Sequence, residues 1–178
     1  MKKIILDIGC GKDKKVKDAI GLDKAMLPAV DIVCDIAMGI PIKENVVDEI
    51  YCSHVLEHIR DLEGMMAEFH RILKAGGLLR IWVPHCFSAV AFGDMTHCRY
   101  FTYETFLQYD KLHPKSYYHK FHFRFLFSRM QLVRNWYKPN LFERFLEKII
   151  NYNQRIGERF LKCLPYKDWE VYTELKKK

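Results

Sequence analysis

The stretch KKIILDIGCGKDKK, residues 2–15, decides the fold. Its apolar run over residues 4–8, broken only by Asp7, reads as a buried strand, and Gly9 and Gly11 follow at once. Glycine lacks a Cβ, so a turn that uses it twice brings the backbone close to something. In a doubly wound α/β sheet, ligands bind outside the carboxyl ends of the strands, which is where DIGCG falls. Two glycines one residue apart occur in many turns, so the rest of the chain must support this interpretation.

Outward from this strand, Ile20–Asp23 reads as a second strand, with residues 12–19 between them as a helix of two turns at most. DIVCDI (31–36) is a third strand, and VVDEIYCSHVL (46–56) holds a fourth, centred on 49–53. Leu62, Met65, Met66, Phe69, Ile72 and Leu73 have the spacing of an amphipathic helix over 62–73. KAGG (74–77) supplies its glycine stop, and LLRIWVP (78–84) makes a fifth strand ended by Pro84. Strands alternating with helices predict a mainly parallel sheet with helices on both faces. Beyond Pro84, FTYETFLQY (101–109) reads as helix, FHFRFLF (121–127) alternates as a half-buried strand, and WEVYTEL (169–175) is an antiparallel closing strand. Residues 141–162 read as one long helix. Its stripe of Leu141, Phe142, Phe145, Leu146, Ile149, Ile150, Ile156 and Phe160 is expected to pack on a core rather than lie on a membrane.

With 178 residues, 49% of them hydrophobic, the chain is expected to form one domain. Residues 1–84 would be its cofactor-binding half, and 85–178 would carry the substrate side and the C-terminal strands and helix. The six cysteines are scattered without a C-x-x-C pair, which suits reduced thiols in the cytoplasm. No apolar run is long enough for a transmembrane segment, and the N-terminal run is too short for a signal peptide. Charge divides unevenly: residues 1–110 carry 13 basic and 16 acidic side chains, residues 111–178 carry 16 and 6. The C-terminal third also holds 15 of the 25 aromatic residues, and a basic, aromatic surface suits an acidic partner.

Two further acids sharpen the glycine turn. Asp23 ends the second strand, where a carboxylate can accept both ribose hydroxyls of a nucleoside. Asp35 ends the third, where a carboxylate followed by a backbone N–H suits adenine. Through LDIGCG, GLD, CDIAMGIPIKENVVDEIYCSHVLEHI and EFHRILKAGGLLRIWVP, the chain resembles the class I S-adenosylmethionine-dependent methyltransferases, in their small-molecule branch. The resemblance runs from Ile4 to about Pro84 and implies a Rossmann-like doubly wound fold with S-adenosylmethionine as cofactor. It implies that Asp7, Gly9, Cys10 and Gly11 lie against the methionine part, Asp23 holds the ribose, and Asp35 with Ile36 holds the adenine. Ser53 and His54 would stand beneath the sulfonium, while LKAGG and Asp48 would be structural. Lys12-Asp13 replaces the family's usual third small residue, and the chain begins on its first strand. A second copy of the chain covering the cofactor site is therefore an expected partner. A nicotinamide-dependent dehydrogenase is the related alternative, but its third glycine is missing.

The histidines admit other readings. HVLEH (54–58) matches H-x-x-E-H, in which two histidines one helical turn apart bind zinc. The motif follows directly on a strand, so no zinc is expected at His54 and His58, nor any other metal site. In PHCFSAVAFGDMTHCRYFT (84–102), His85, Asp94, His97 and Arg99 sit where a substrate would be held. His54, His85 and His97 are candidate general bases, because imidazole titrates near neutrality, and the sequence does not choose among them. His113, His119 and His122 read as surface or strand residues.

The expected activity is methyl transfer to an anionic acceptor, either a small molecule or one linked to lipid or glycan. The expectation of negative charge rests on the basic third, where Arg124, Arg129 and Arg134 recur. Nucleic acid ranks below these, because no stacking-platform motif is evident. The rival reading is a non-catalytic module of the same fold that binds RNA, lipid or protein. Asp7, Asp23 and Asp35 together disfavour it.

Overall fold

The computed structural model describes residues 2–132, 139–161 and 168–178. Seven strands form one sheet: β1 (Ile5–Ile8), β2 (Ile20–Asp23), β3 (Ile32–Val33), β4 (Val47–Ser53), β5 (Leu73–Pro84), β6 (Phe123–Leu132) and β7 (Trp169–Lys177). Their order is β3-β2-β1-β4-β5-β7-β6. From β3 to β5 the pairs are parallel, and β7 runs antiparallel to both β5 and β6. Strand order therefore reverses direction between β1 and β4, the switch point at which such sheets bind ligands. Leu6, Ile8, Leu22, Ile50, Ile81 and Val83 are buried at the centre of the sheet.

Helix α1 (Leu62–Ile72) turns Met65, Met66, Phe69 and Ile72 into this core, as its spacing predicts, and Asp61 caps it by accepting from the Gly64 N–H. The expected glycine stop is not what ends it. Leu73 is already extended and opens β5, so Gly76, at φ +79, serves an irregularity early in the strand.

Residues 12–19 form turns and bends rather than a helix. A segment this short nucleates poorly. Here the Asp7 carboxylate takes the Lys15 N–H and the Asp23 carboxylate takes the Gly11 N–H, so side-chain acceptors replace helical ones. The third strand stops early because Asp35 caps a 3₁₀ turn, Ile36–Met38. Residues 101–109 hold only a 3₁₀ turn, Thr105–Tyr109. In β6 a register shift between Phe125 and Phe127 breaks the alternation, leaving Leu126 and Phe127 both exposed.

The expected long helix is two: α3 (Leu141–Tyr152) and α4 (Gln154–Leu161), following the short α2 (Ala89–Gly93). The break falls at Asn153, with extended dihedrals of φ −138 and ψ 97. Residue 162 lies outside the described residues. At this corner a Cβ on Gly157 would fall 2.1 Å from the Ile150 carbonyl oxygen, so only glycine lets the helices come so close.

The apolar stripe does not face a core. Leu141, Phe142, Phe145, Ile149, Ile156 and Phe160 are exposed and Leu146 is half-buried; of the stripe only Ile150 is fully buried, with Leu161 beside Met130, Leu132 and Trp169. The reason is the neighbour. β6 ends the sheet, and α3 supplies its outer backbone groups with partners. Asn151 Oδ1 accepts from Met130 N–H at 2.8 Å, Asn151 Nδ2 donates to Met130 O at 2.6 Å, and Glu147 Oε1 accepts from Leu132 N–H at 2.8 Å. The polar side of the helix is thereby committed inward.

Candidate functional site

Gly9 and Gly11 both have positive φ, +66 and +59. A Cβ on Gly9 would lie 2.2 Å from Val55 Cγ2, so this glycine lets the end of β1 meet the segment after β4. A Cβ on Gly11 would meet nothing within 4 Å; it borders open space. Asp7 is buried beneath the turn, and burial raises its carboxyl pKa against the backbone hydrogen bonds from Lys15 and Val16. Asp23 is oriented by two N–H groups, Gly11 at 3.0 Å and Ala25 at 2.9 Å. Asp35 is exposed at the end of β3 and accepts from Ala37 N–H at 3.0 Å.

A cavity of about 1020 Å³ opens over the ends of β1 and β4. Of the residues expected at the site, Asp7, Gly9, Cys10, Ser53, His54, Asp94 and His97 line it. Gly11, Asp23 and Asp35 stand at the same sheet edge without entering its wall. Ile36 borders a second cavity, about 610 Å³, in which His58 also takes part. His58 lines both, so the two adjoin.

Two expectations fail. His85 is fully buried and absent from the cavity wall; its Nδ1 accepts from Phe87 N–H at 3.1 Å, and Nε2 meets Glu158 Oε1 at 2.8 Å. Both ring nitrogens are engaged inside the protein, and neither is presented to the cavity. Arg99 sends its guanidinium to the carbonyls of Ile59 and Arg60, tying its own loop to the segment before α1.

His54 occupies the left-handed region at φ +56, uncommon for a side-chain-bearing residue. Its Nε2 lies 3.0 Å from Glu170 Oε2 and its Nδ1 3.3 Å from Glu57 Oε1. Burial opposes its charge, but the hydrogen bond to Glu170 and the negative charges of Glu170 and Glu57 outweigh that and raise its pKa to about 9. The ring is thus protonated at neutral pH, a donor rather than a resting base. HVLEH lies on a strand end and a 3₁₀ turn, Leu56–His58, so His54 and His58 are not stacked on one helix face.

Sequence reasoning missed Lys15 and Asp168 and set aside Glu57 and His58 with the HVLEH motif, yet all four are in the cavity wall. Lys15 Nζ bonds Ser53 Oγ at 2.9 Å and stands 4.0 Å from the centre of the Trp82 ring, and burial lowers its pKa. The charged run after the glycine turn was the only signal for Lys15, and those residues read as a helix of two turns at most. Arg124 and Arg129 are exposed on β6, Arg129 over Tyr172; Arg134 lies outside the described residues.

These features define a Rossmann-like α/β protein whose ligand cavity opens at the switch point. Residues 6–81 match the family described as Methyltransferase domain. No protein of curated function matches the sequence. Among solved structures, a SAM dependent methyltransferase from Archaeoglobus fulgidus is 17% identical with a TM-score of 0.57, covering 98% of this chain and 86% of that one. The [4+2]-cyclase SpnF is 18% identical with a TM-score of 0.60, over 98% and 75% of the two chains. Haemonchus contortus phosphoethanolamine N-methyltransferase 2, in complex with S-adenosyl-L-methionine, is 15% identical with a TM-score of 0.60, over 99% and 49%. The turn fits that cofactor: Gly11 leaves open space beside an Asp23 carboxylate already oriented by the backbone. Over residues 6–81 the chain thus matches a methyltransferase domain, and its fold is that of solved S-adenosylmethionine-dependent methyltransferases.

Proposed function

We propose that this protein is an S-adenosylmethionine-dependent methyltransferase acting on an anionic acceptor, lipid- or glycan-linked, presented at a negatively charged membrane surface. The cofactor supplies an electrophilic methyl group. Asp23 would hold the ribose, Asp35 and the Ile36 N–H the adenine, and the turn from Asp7 to Gly11 the methionine part. Ser53 and His54 would face the reacting end, with Asp94 and His97 on the acceptor side of the cavity. Holding donor and acceptor in line supplies much of the rate in such a transfer.

One observation carries the acceptor. On α3 and α4 the exposed side chains are apolar, aromatic or basic: Leu141, Phe142, Phe145, Ile149, Tyr152, Ile156 and Phe160 beside Arg144, Lys148, Arg155 and Arg159. Glu143 is buried and Glu147 and Glu158 are half-buried. Apolar side chains flanked by cations, with the acids withdrawn, match an anionic lipid interface in charge and in depth. Among the described residues no helix is long and apolar enough to cross a membrane, so this is a surface contact. The name of the Haemonchus contortus enzyme gives it a phosphorylated acceptor, in keeping with an anionic one here. No disulfide joins Cys10, Cys34, Cys52 or Cys98, in keeping with a cytoplasmic enzyme.

The test is transfer of labelled methyl from S-adenosylmethionine to a membrane extract. Label should partition with lipid or lipid-linked glycan. Label found wholly in protein, nucleic acid or neutral metabolites would exclude this acceptor class.

A further inference from the structure

Glu57 is only 1% exposed, it lines the main cavity, and among the described residues neither of its carboxylate oxygens has a hydrogen-bond partner. His54 Nδ1 stands 3.3 Å from Oε1 as an ion-pair contact without hydrogen-bond alignment. Burying a carboxylate with unfilled acceptor capacity is costly unless something occupies it.

What lies beside it is a pair of imidazoles. His58 and His97 meet edge to face, with ring centres 4.7 Å apart. One donor atom each from Glu57, His58 and His97 lies within 4.8 Å of the others. Their outer contacts fix which nitrogens hold protons. His97 Nδ1 is 3.0 Å from the Ala91 carbonyl oxygen, which only accepts, so Nδ1 carries the hydrogen and Nε2 keeps its lone pair. Thr96 Oγ1 donates its one hydrogen to Asp94 Oδ1 at 2.6 Å, so toward His58 Nδ1, at 2.9 Å, it accepts. His58 therefore also keeps its lone pair on Nε2. An imidazole held at one nitrogen by a carbonyl, or by a hydroxyl backed by a carboxylate, is oriented as metal-binding histidines are.

We propose that Glu57, His58 and His97 bind one divalent first-row cation, zinc or manganese, with its remaining coordination positions open to the cavity. Two imidazoles and a carboxylate are the donors such ions take, and three protein ligands leave room for an acceptor atom. His54 is not a ligand, since Glu170 and Glu57 face its two nitrogens. Cation binding stands independently of the acceptor reading; its use rests on that reading. A phosphate or hydroxyl oxygen of the acceptor binds the cation, and from a hydroxyl the O–H bond breaks, its electron pair staying on oxygen and its proton passing to water.

The test is made without S-adenosylmethionine. Untagged protein is stripped with chelator, dialysed against zinc or manganese, and analysed for bound metal. One equivalent per chain of either ion is expected, and cobalt in its place should give visible absorption that zinc abolishes. His97→Ala and Glu57→Gln should each weaken binding at least tenfold, with folding checked by circular dichroism. If Glu57→Gln does not fold, His97→Ala, at a half-buried position, decides alone. No stoichiometric binding of either ion, or unchanged affinity in His97→Ala, overturns the proposal. Calorimetry with S-adenosylmethionine on the same samples separates the two readings, because failure of cofactor binding with metal retained would strike only the methyltransferase site.

Discussion

A face and an edge of the sheet use the same helical spacing in opposite senses. Beside β1, β4 and β5, α1 turns its apolar face inward and leaves its polar face to solvent. Beside β6, α3 turns Asn151 and Glu147 inward to the strand's free backbone groups, and its phenylalanines point out. A periodic pattern states that a helix has two faces; the neighbour decides which is buried. At a sheet face the neighbour is apolar, whereas at a sheet edge it is a row of N–H and C=O groups.

That contrast can be tested first at the cofactor end. Asp23→Ala should weaken S-adenosylmethionine binding by about 1.5–3 kcal/mol, roughly tenfold to a hundredfold in Kd, because charge-assisted hydrogen bonds are lost. Calorimetry on a folded variant checks this, and unchanged affinity would remove the site from the end of β2. At the other end, Phe142→Ser with Phe145→Ser should abolish sedimentation with vesicles of anionic phospholipid. Each buried ring is worth about 1.5–3 kcal/mol, and cofactor affinity should not change. Since both rings are exposed, melting temperature should hold as well; a fall would mean that they pack on protein after all.

A smaller effect is expected at the corner between α3 and α4. Gly157→Ala drives a methyl group into the Ile150 backbone and should cost about 1–3 kcal/mol of stability, read from thermal unfolding. An unaffected variant would show that the two helices sit further apart. The smallest concerns Asp48, whose carboxyl is held below the usual aspartate range by Lys74 and by the Ile4 N–H. Because its folded pKa is depressed, this contribution is present above the ordinary aspartate pKa and lost as pH falls through the lower, folded value. Melting temperature should therefore fall more steeply with acid in the parent than in Asp48→Asn.

Much of the cofactor half was legible because burial and periodicity agree there: β1, β4, α1 and β5 each bury the residues their patterns mark. Residues 12–19 were not, since the acceptors that hold them, Asp7 and Asp23, come from flanking strands. His85 and Arg99 were misread for a related reason. A polar side chain after a strand looks the same in sequence whether it lines a cavity or ties a loop to the core. The cluster of Glu57, His58 and His97 was hidden by distance, with its third member on the loop after α2.

The side-chain partners that α3 gives to β6 also set the width of the sheet. An open edge is a template on which another strand can be laid, and repetition of that step leads to fibres. At one margin this protein offers β3, two residues long and too short to guide a newcomer. At the other, Asn151 and Glu147 already occupy positions that a further strand would need. Growth is refused in both directions, so copies of this chain that associate must do so through loops, helices or faces.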